Sequence, residues 1–520
     1  MDIIPGTEFA REGGGNHAGH ELGYEIRLIP SPSDDPKDPL NWSKPWKLLT
    51  TVFDFLDLVI TTQFLFLFVS VESALSMGPM FPLFDAEFSL NDTQLSLLTG
   101  ACVLALGFSN FIIVPFSNIF GRRMASLVFC LLGIASCIWQ ALATSYRSML
   151  AARVVNGIAT ATSETLLVQV VSDIMGYFLG LFIGPVISGN IAQKYGWRSF
   201  FWLSLGLTCF NFISLVICFP ETRFSRDAMS KASDPNTYTQ STQSMKQGNQ
   251  EAESEQLENI ERAITPGTGR PSRSQFALWQ IPETNWKAFL LRDILSPFRL
   301  FSFPIIVWAA LNVAGPANIL LFWNLTESSV LSAPPYNFSP SSVGYANFAF
   351  VVGGLVGLAT AGPFSDWIAV WATKRNNGIR EAEMRLPALL PYFFISVIGI
   401  VIGAVGYDRQ WDWPVVLIIG YGFSGLCVTT IPTIAIAYAV ECYKPISGEI
   451  MVVATVVKNT CGFAMSYWVM PMAAQRGFLV PAMVEFALTI GPMVLGLPIY
   501  FFGKYLRRLT SNSSVHSYAI

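Results

Sequence analysis

The sequence predicts an all-α protein that crosses a membrane twelve times, in two pseudo-symmetric bundles of six helices. Three observations carry this expectation. The chain of 520 residues is 52% hydrophobic and only 13% charged, about half the charged fraction usual in soluble domains, and its mean hydropathy is +0.46. Apolar runs long enough to cross a ~30 Å hydrocarbon core recur along it. One long polar break divides them into a first and a second set of six.

The elements follow in order. Residues 1–49 form an N-terminal tail, polar and rich in Gly, Pro and Asp, without a cleavable signal peptide. Apolar segments lie at about 50–74, 95–117, 125–145, 148–172, 174–193 and 199–219, so the first bundle is 50–219. Residues 220–300 form a central loop. Its middle, Ser225–Gln275, is too rich in Ser, Thr, Gln, Asn and Glu to build a core and reads as disordered. Ile281–Leu300 is more apolar and is expected to lie along the membrane surface. The second bundle, 301–503, holds segments at about 301–324, 343–365, 387–406, 414–440, 449–473 and 479–503, and 504–520 is a C-terminal tail.

Orientation follows from the positive charges. With the N-terminus inside, 25 Lys and Arg fall on the inner side and 5 on the outer, which places both termini in the cytoplasm. The two halves echo one another: Val114-Pro-Phe-Ser-Asn118 follows the second span and Gly362-Pro-Phe-Ser-Asp366 the eighth. The cysteines lie in or at the ends of apolar runs and read as small buried side chains.

A charge inside a span costs roughly 2.5–3.5 kcal/mol on insertion scales, so it is a functional candidate. The fourth span carries Arg153 and Glu164. A separation of eleven residues returns to within about 20° of the same helical face, roughly 16 Å further along the axis. The two are therefore expected to line one cavity without pairing, with Glu164 as proton carrier, because an ionised carboxylate is costly away from water. Asp54, Asp57 and Glu72 on the first span, Lys458 and Asn459 on the eleventh and Glu485 on the twelfth are further candidates. Trp308, Trp323, Tyr421, Phe423, Tyr438 and Trp468 could stack on a substrate. In the fifth span Gly180 and Gly184 share one face, where small residues let two helix backbones come close in lipid, and Pro185 bends the helix. No nucleophile–base pair, metal cluster or phosphate loop appears on the aqueous segments, so no enzyme activity, cofactor or metal is expected.

Several of these stretches resemble the major facilitator superfamily, in its fungal twelve-helix drug:proton antiporter branch. Gly180-x-x-x-Gly184-Pro185-x-x-Ser188-Gly189 is similar to the fifth-helix antiporter motif, and Arg153-x-x-x-Gly157 to the fourth-helix motif whose arginine takes part in proton coupling. Asn118-x-x-Gly121-Arg122-Arg123 resembles the loop that latches the halves on the cytoplasmic side, with Gly362 and Asp366 as its second-half counterpart and Arg375 and Arg385 as partners downstream. Asp34–Trp46, Gly196-Trp-Arg198 and Phe219-Pro-Glu-Thr222 fit the same family. This chain departs from the pattern at Val114, which stands for Gly, and at Asn118, which stands for Asp and carries no charge. It also lacks much of the connection between the fourth and fifth spans. Either Asp173–Gly176 is a very tight turn, or the sequence reflects a gene-model or splicing error; in relatives Asp173 joins the cytoplasmic charge relay. The resemblance implies a monomeric plasma-membrane transporter that exchanges protons for a small organic compound, a drug or secondary metabolite, by alternating access. Proton-coupled uptake of a nutrient or polyamine is the alternative; nucleic acid is not an expected partner.

The orientation is testable through N-glycosylation. Asn337, Asn324 and Asn91 begin sequons on the expected outer side, Asn324 close to the bilayer, and Asn41 and Asn512 begin sequons inside. Glycopeptide mapping is expected to find glycan on Asn337; glycan on Asn41 or Asn512 would reverse the orientation.

Overall fold

A computed structural model describes residues 7–9, 58–164, 174–221, 272–277, 286–376, 378–443 and 446–510. Each of the twelve predicted segments contains a helix: α1 (Leu58–Leu75), α2 (Asp92–Phe120), α3 (Arg122–Ala141), α4 (Tyr146–Thr160), α5 (Ile174–Tyr195), α6 (Trp197–Cys218), α7 (Pro304–Leu331), α8 (Phe348–Arg375), α9 (Leu389–Asp408), α10 (Gly422–Cys442), α11 (Ser447–Arg476) and α12 (Leu479–Val494). Nine of the described helices are long and apolar enough to cross a membrane, ten if α12 and the helix Gly496–Thr510, which meet at 43°, form one span. α4 and α5 flank residues 165–173, outside the described residues, and are not among those counted. Asp54, Asp57 and Asp173 lie outside them as well.

Local chemistry sets the ends of these helices. Asn91 accepts from the Gln94 amide while the Gln94 side chain accepts from the Asn91 amide, so a reciprocal cap starts α2. Gly121, at φ +98°, separates α2 from α3, and Gly477, at φ +77°, ends α11. The polypeptide turns between α2 and α3 at one end of the molecule, the Arg122 end. The opposite end carries the turn after α1 and the exposed loop around Asn337, and is termed the Asn337 end.

The helices pack in two groups. In the first, α1 packs on α5 and α6, α2 on α4, and α3 on α4 and α6; in the second, α7 packs on α10, α11 and α12, α8 on α10, and α9 on α10 and α12. Two seams join the groups: α2 lies along α11, and α5 lies against the short helix Pro340–Ala346 and α8. Small residues permit both. A Cβ on Gly180 would sit 2.5 Å from the Phe68 carbonyl oxygen, one on Gly184 would overlap Ser76 Oγ and lie 3.1 Å from Glu72 Cγ, and one on Gly189 would sit 2.5 Å from the Pro340 carbonyl oxygen. The fifth-helix glycines therefore seat α5 on α1 and on the second group at once.

Three features depart from the expectation. α7 runs to Leu331 rather than stopping near 324, so Asn324 and Thr326 are helical, not loop residues. Thr326 Oγ1 bonds back to the Phe322 carbonyl and Glu327 is buried, so this polar stretch turns inward and the helix continues through it. Helix Trp286–Leu300 leaves Leu295 and Phe298 exposed, as a surface helix would, but also packs on α2 and α11 at the Arg122 end. Finally, Thr7–Phe9 pairs antiparallel with Ile379–Glu381 in the connection from α8 to α9.

Gly184→Val is expected to destabilise the purified protein by about 1–3 kcal/mol through overpacking, read as a lower Tm. Gly206→Ala, at a position where a Cβ meets nothing within 4 Å, is expected to leave it unchanged. Equal effects would remove the close α1–α5 approach as an explanation.

Candidate functional site

A cavity of about 880 Å³ lies between the two helix groups. Its wall is largely apolar, with Val103, Leu106, Phe182, Leu320, Leu321 and Phe350 among its lining residues. Polar groups enter at three levels: Asn118, Arg122 and Asp293 towards the Arg122 end, Glu164, Lys458 and Asn459 in the middle, and Asn324 and Asn347 towards the Asn337 end. A row of aromatic rings lies towards the Asn337 end. Phe182 lies 5.9 Å from Phe350, Phe350 4.4 Å from Tyr421, and Tyr421 5.5 Å from Trp323. At the other end the lining runs out to Ser447, which is exposed.

The middle level holds the strongest electrostatic feature of the cavity. Glu164 and Lys458 form an ion pair, and Asn459 Nδ2 donates to Glu164 Oε2 at 3.0 Å. Glu164 belongs to the first group and the other two to α11 of the second, so the pair bridges the α2–α11 seam. Gly107 makes the approach possible: a Cβ there would sit 2.7 Å from Asn459 Cβ. Glu164 and Lys458 are nearly withdrawn from water, at 4% and 13% side-chain exposure, where removing one partner of an ion pair typically costs about 3–5 kcal/mol.

Arg153 is not part of this cavity, contrary to the expectation that it shares a face with Glu164. Its Nε donates to the Leu98 carbonyl at 3.0 Å, and Nη1 to the Ser73 carbonyl at 2.8 Å and to Gln140 Oε1 at 3.3 Å; Nη2 reaches the Ala74 carbonyl. Ser73 and Ala74 are in the last turn of α1, whose carbonyls have no partner within the helix, so a buried cation completes that end. The helical-face argument fails because α4 is not continued regularly. The chain turns at Ala161, and the Glu164 amide bonds to the Ala161 carbonyl in a tight three-residue turn, which carries Glu164 round towards α11.

The loop after α2 is built differently from a direct latch between halves. Glu221, from the Phe219-Pro-Glu-Thr222 stretch, accepts from the Arg122 and Arg123 amides at 3.1 Å each, and a Cβ on Gly121 would collide with its carboxylate. The Arg123 guanidinium donates to the carbonyls of Leu215, Val216 and Phe219 at the end of α6. Asn118 Nδ2 donates to Asp293 Oδ2 at 2.7 Å, so the residue in place of the family's aspartate bonds to the surface helix Trp286–Leu300. In the second half, Asp366 pairs with Arg385 at 2.7 Å, and Arg385 with Glu441 at 2.6 Å. Arg375 instead stacks over Trp371 at 3.8 Å, and nothing lies within 4 Å of a Cβ on Gly362.

Asn337 is exposed. Asn91 caps α2 through its side-chain oxygen, and Asn324, on the cavity wall, donates to Glu327 Oε1 at 3.4 Å, so α7 removes it from the loop where a glycan would be expected. Glu327, which the sequence reading passed over because it fell just beyond the expected span, is fully buried. Of the other candidates, Glu72 is buried and bonded to Ser204, and Glu485 is buried without a hydrogen-bond partner among the described residues. Trp308, Trp323, Tyr421 and Tyr438 are buried core residues rather than cavity lining.

The chain matches the family model described as Major Facilitator Superfamily over residues 62–441. It is similar to an uncharacterized MFS-type transporter of Schizosaccharomyces pombe, 25% identical with 94% of this chain and 89% of that one covered. It is likewise similar to Protein HOL1 of Saccharomyces cerevisiae, at 25% with 93% and 91% covered, and to Efflux pump radE of Floropilus chiversii, at 22% with 91% and 83% covered. The crystal structure of the human organic anion transporter MFSD10 shares its fold, with a TM-score of 0.52 and 14% identity over 84% of this chain and 99% of that one.

Proposed function

The chain belongs to the Major Facilitator Superfamily, and on that premise we propose that it is a proton-coupled exporter of a small organic compound. Both termini then face the cytoplasm, the Arg122 end is the inner end and the Asn337 end the outer. The observation that carries the reading is the Glu164–Lys458–Asn459 cluster: a titratable carboxyl, in a substrate-sized cavity, whose partners sit on the other helix group. The plasma membrane is the proposed location and a single chain the working unit. Export is supported by the glycine face of α5, similar to the antiporter motif, and by relatives named as an efflux pump and a multidrug transporter.

In this reading the Phe182–Phe350–Tyr421 stack closes the outer end and the cavity lining extends to the inner surface. Substrate enters there, and its apolar body meets Val103, Leu106 and Leu321. Ionised Glu164 is held by Lys458 and Asn459, which ties α11 to the first group. A proton taken from the outer side removes that charge and loosens the tie; its release to the inner side restores it. Substrate moves out and proton in across the same alternating cavity. Inward movement of one charge through 100 mV contributes about 2.3 kcal/mol. Arg153 acts at one remove, as a positioning residue that holds the end of α1. At the inner end, the Arg122–Arg123 loop on Glu221 braces the first group and the Asp366–Arg385–Glu441 network the second, Asn118 docks the helix Trp286–Leu300, and Asp173 would add to these charges.

Glu164→Gln keeps the shape and the hydrogen bond to Asn459 but cannot ionise. Export from energised vesicles, normalised to protein in the membrane, is expected to lose its dependence on an imposed pH gradient while substrate binding persists. Unchanged gradient dependence would exclude Glu164 as the coupling group. Accumulation of substrate along an inward proton gradient would identify uptake instead.

A further inference from the structure

The two halves share a second short echo at the outer ends of α1 and α7. Val71-Glu72-Ser73-Ala74-Leu75 corresponds to Thr326-Glu327-Ser328-Ser329-Val330. Both carboxyls are fully buried, but they differ in what they touch. Glu72 lies within the first group, its oxygens 3.3 Å from Ser204 Oγ on α6. Glu327 lies on the seam between the groups. Asn347 Nδ2 donates to its Oε2 at 2.9 Å and Asn324 Nδ2 approaches Oε1 at 3.4 Å. The turn after α1 rests on the same carboxyl, so closely that a Cβ on Gly78 would sit 2.5 Å from Oε1 and 2.8 Å from the Asn324 carbonyl. Asn324 and Asn347 line the cavity together with Phe350 and Phe182 of the aromatic row.

We infer that Glu327 is a second proton-binding site of the transport cycle, one whose occupancy sets whether the outer seam closes. Three observations support it. The partners of Glu327 are carboxamides, and among the described residues no cation pairs with it. Tyr407 and Tyr421, whose hydroxyls bond to one another, are the titratable groups facing it from α9 and from the residue before α10, and a phenol carries no positive charge in either of its states. A negative charge enclosed there without a counter-charge is strongly disfavoured. A protonated carboxyl needs an acceptor, and one is present: Asn324 Oδ1 is buried with no hydrogen-bond partner among the described residues. Turning the Asn324 amide over places that oxygen opposite Oε1, so the carboxyl O–H donates to it while Asn347 still donates to Oε2. Lastly, the contact with Gly78 crosses the seam. Loss of the proton adds a charge that the closed seam cannot solvate, so water must enter and the turn after α1 must lift from α7. Closure around protonated Glu327 and opening around the ionised form thus follow from one contact. The site is distinct from Glu164, which has its own cation and lies deeper in the cavity.

The inference uses the orientation proposed above, and its test needs neither substrate nor net transport. Spin labels on Lys194→Cys and Asn337→Cys, both exposed and on opposite sides of the outer seam, with Cys209 and Cys461 replaced by Ser, report the seam distance in full-length protein in lipid vesicles by pulsed electron resonance. The short-distance population is expected to shrink as the pH at the outer face rises. That response is expected to vanish in Glu327→Gln and to persist in Glu164→Gln, whereas gradient-driven export is lost in Glu164→Gln. Glu327→Asp, which keeps a titratable group, is expected to respond with a shifted midpoint. No pH response in the parent protein, a parent-like response in Glu327→Gln or an unshifted midpoint in Glu327→Asp would each overturn the inference. A protein that imports rather than exports would still show the seam response, so the two readings fail separately.

Discussion

Inside a bundle surrounded by lipid, a charge must find its partner within the protein, and this one requirement organises much of the structure. Two arginines are satisfied by helix ends: Arg153 by the last carbonyls of α1, and Arg123 by those of α6. Each converts a helix terminus, where carbonyls lack partners, into an anchoring point. Arg507 takes the carboxylate solution, gripping Glu383 with two bonds at 2.9 and 2.6 Å while fully buried. These contacts stay within one helix group and need not change in a working cycle. The Glu164–Lys458 pair solves the same problem across the seam between groups, so any motion that parts α11 from the first group must first answer for both charges. Under the proposed function, that position is what would let it act as a coupling device rather than a brace.

Steric fit and charge work together at the seams. Without Gly107, Asn459 could not come near enough to bond Glu164; without Gly184 and Gly189, α5 could not lie against α1 and Pro340 together. Small residues therefore set the distance at which the electrostatics operate. At the seam near the Asn337 end the stacked rings of Phe182, Phe350 and Tyr421 make an apolar surround, which raises the penalty for any uncompensated charge beside it. Under the inference above, this seam is sensitive to the single carboxyl of Glu327.

Patterns that repeat along one helix were legible in the sequence: the apolar segments and the fifth-helix glycine face. The partner of Asp366 was legible only as one of two, Arg375 or Arg385, and the fold brings Arg385 to it. What could not be read depended on geometry between helices. A regular-helix projection put Arg153 and Glu164 on one face, and one tight turn at Ala161 separated them. Hydropathy ended the seventh segment near 324 because Asn324, Thr326 and Glu327 look like loop residues, although the Thr326 hydroxyl bonds back to the helix and Glu327 accepts from Asn324 and Asn347 inside the bundle. The partner of Asn118 could not be anticipated, since Asp293 lies beyond a long polar segment with no periodicity to place it. The echo between Val71–Leu75 and Thr326–Val330 was present in the sequence and would have drawn attention to Glu327 had the halves been aligned at their outer ends.

The most direct measurement exchanges the two charges of the bridging pair. Glu164→Lys and Lys458→Glu each leave two like charges facing one another across the seam, and each is expected to abolish gradient-driven export in vesicles containing equal amounts of folded protein. The double exchange restores an opposite pair at the same place and is expected to recover export with a pH dependence. A folded double variant with no recovery, or single variants that still export with the parent's gradient dependence, would contradict a coupling role for this pair.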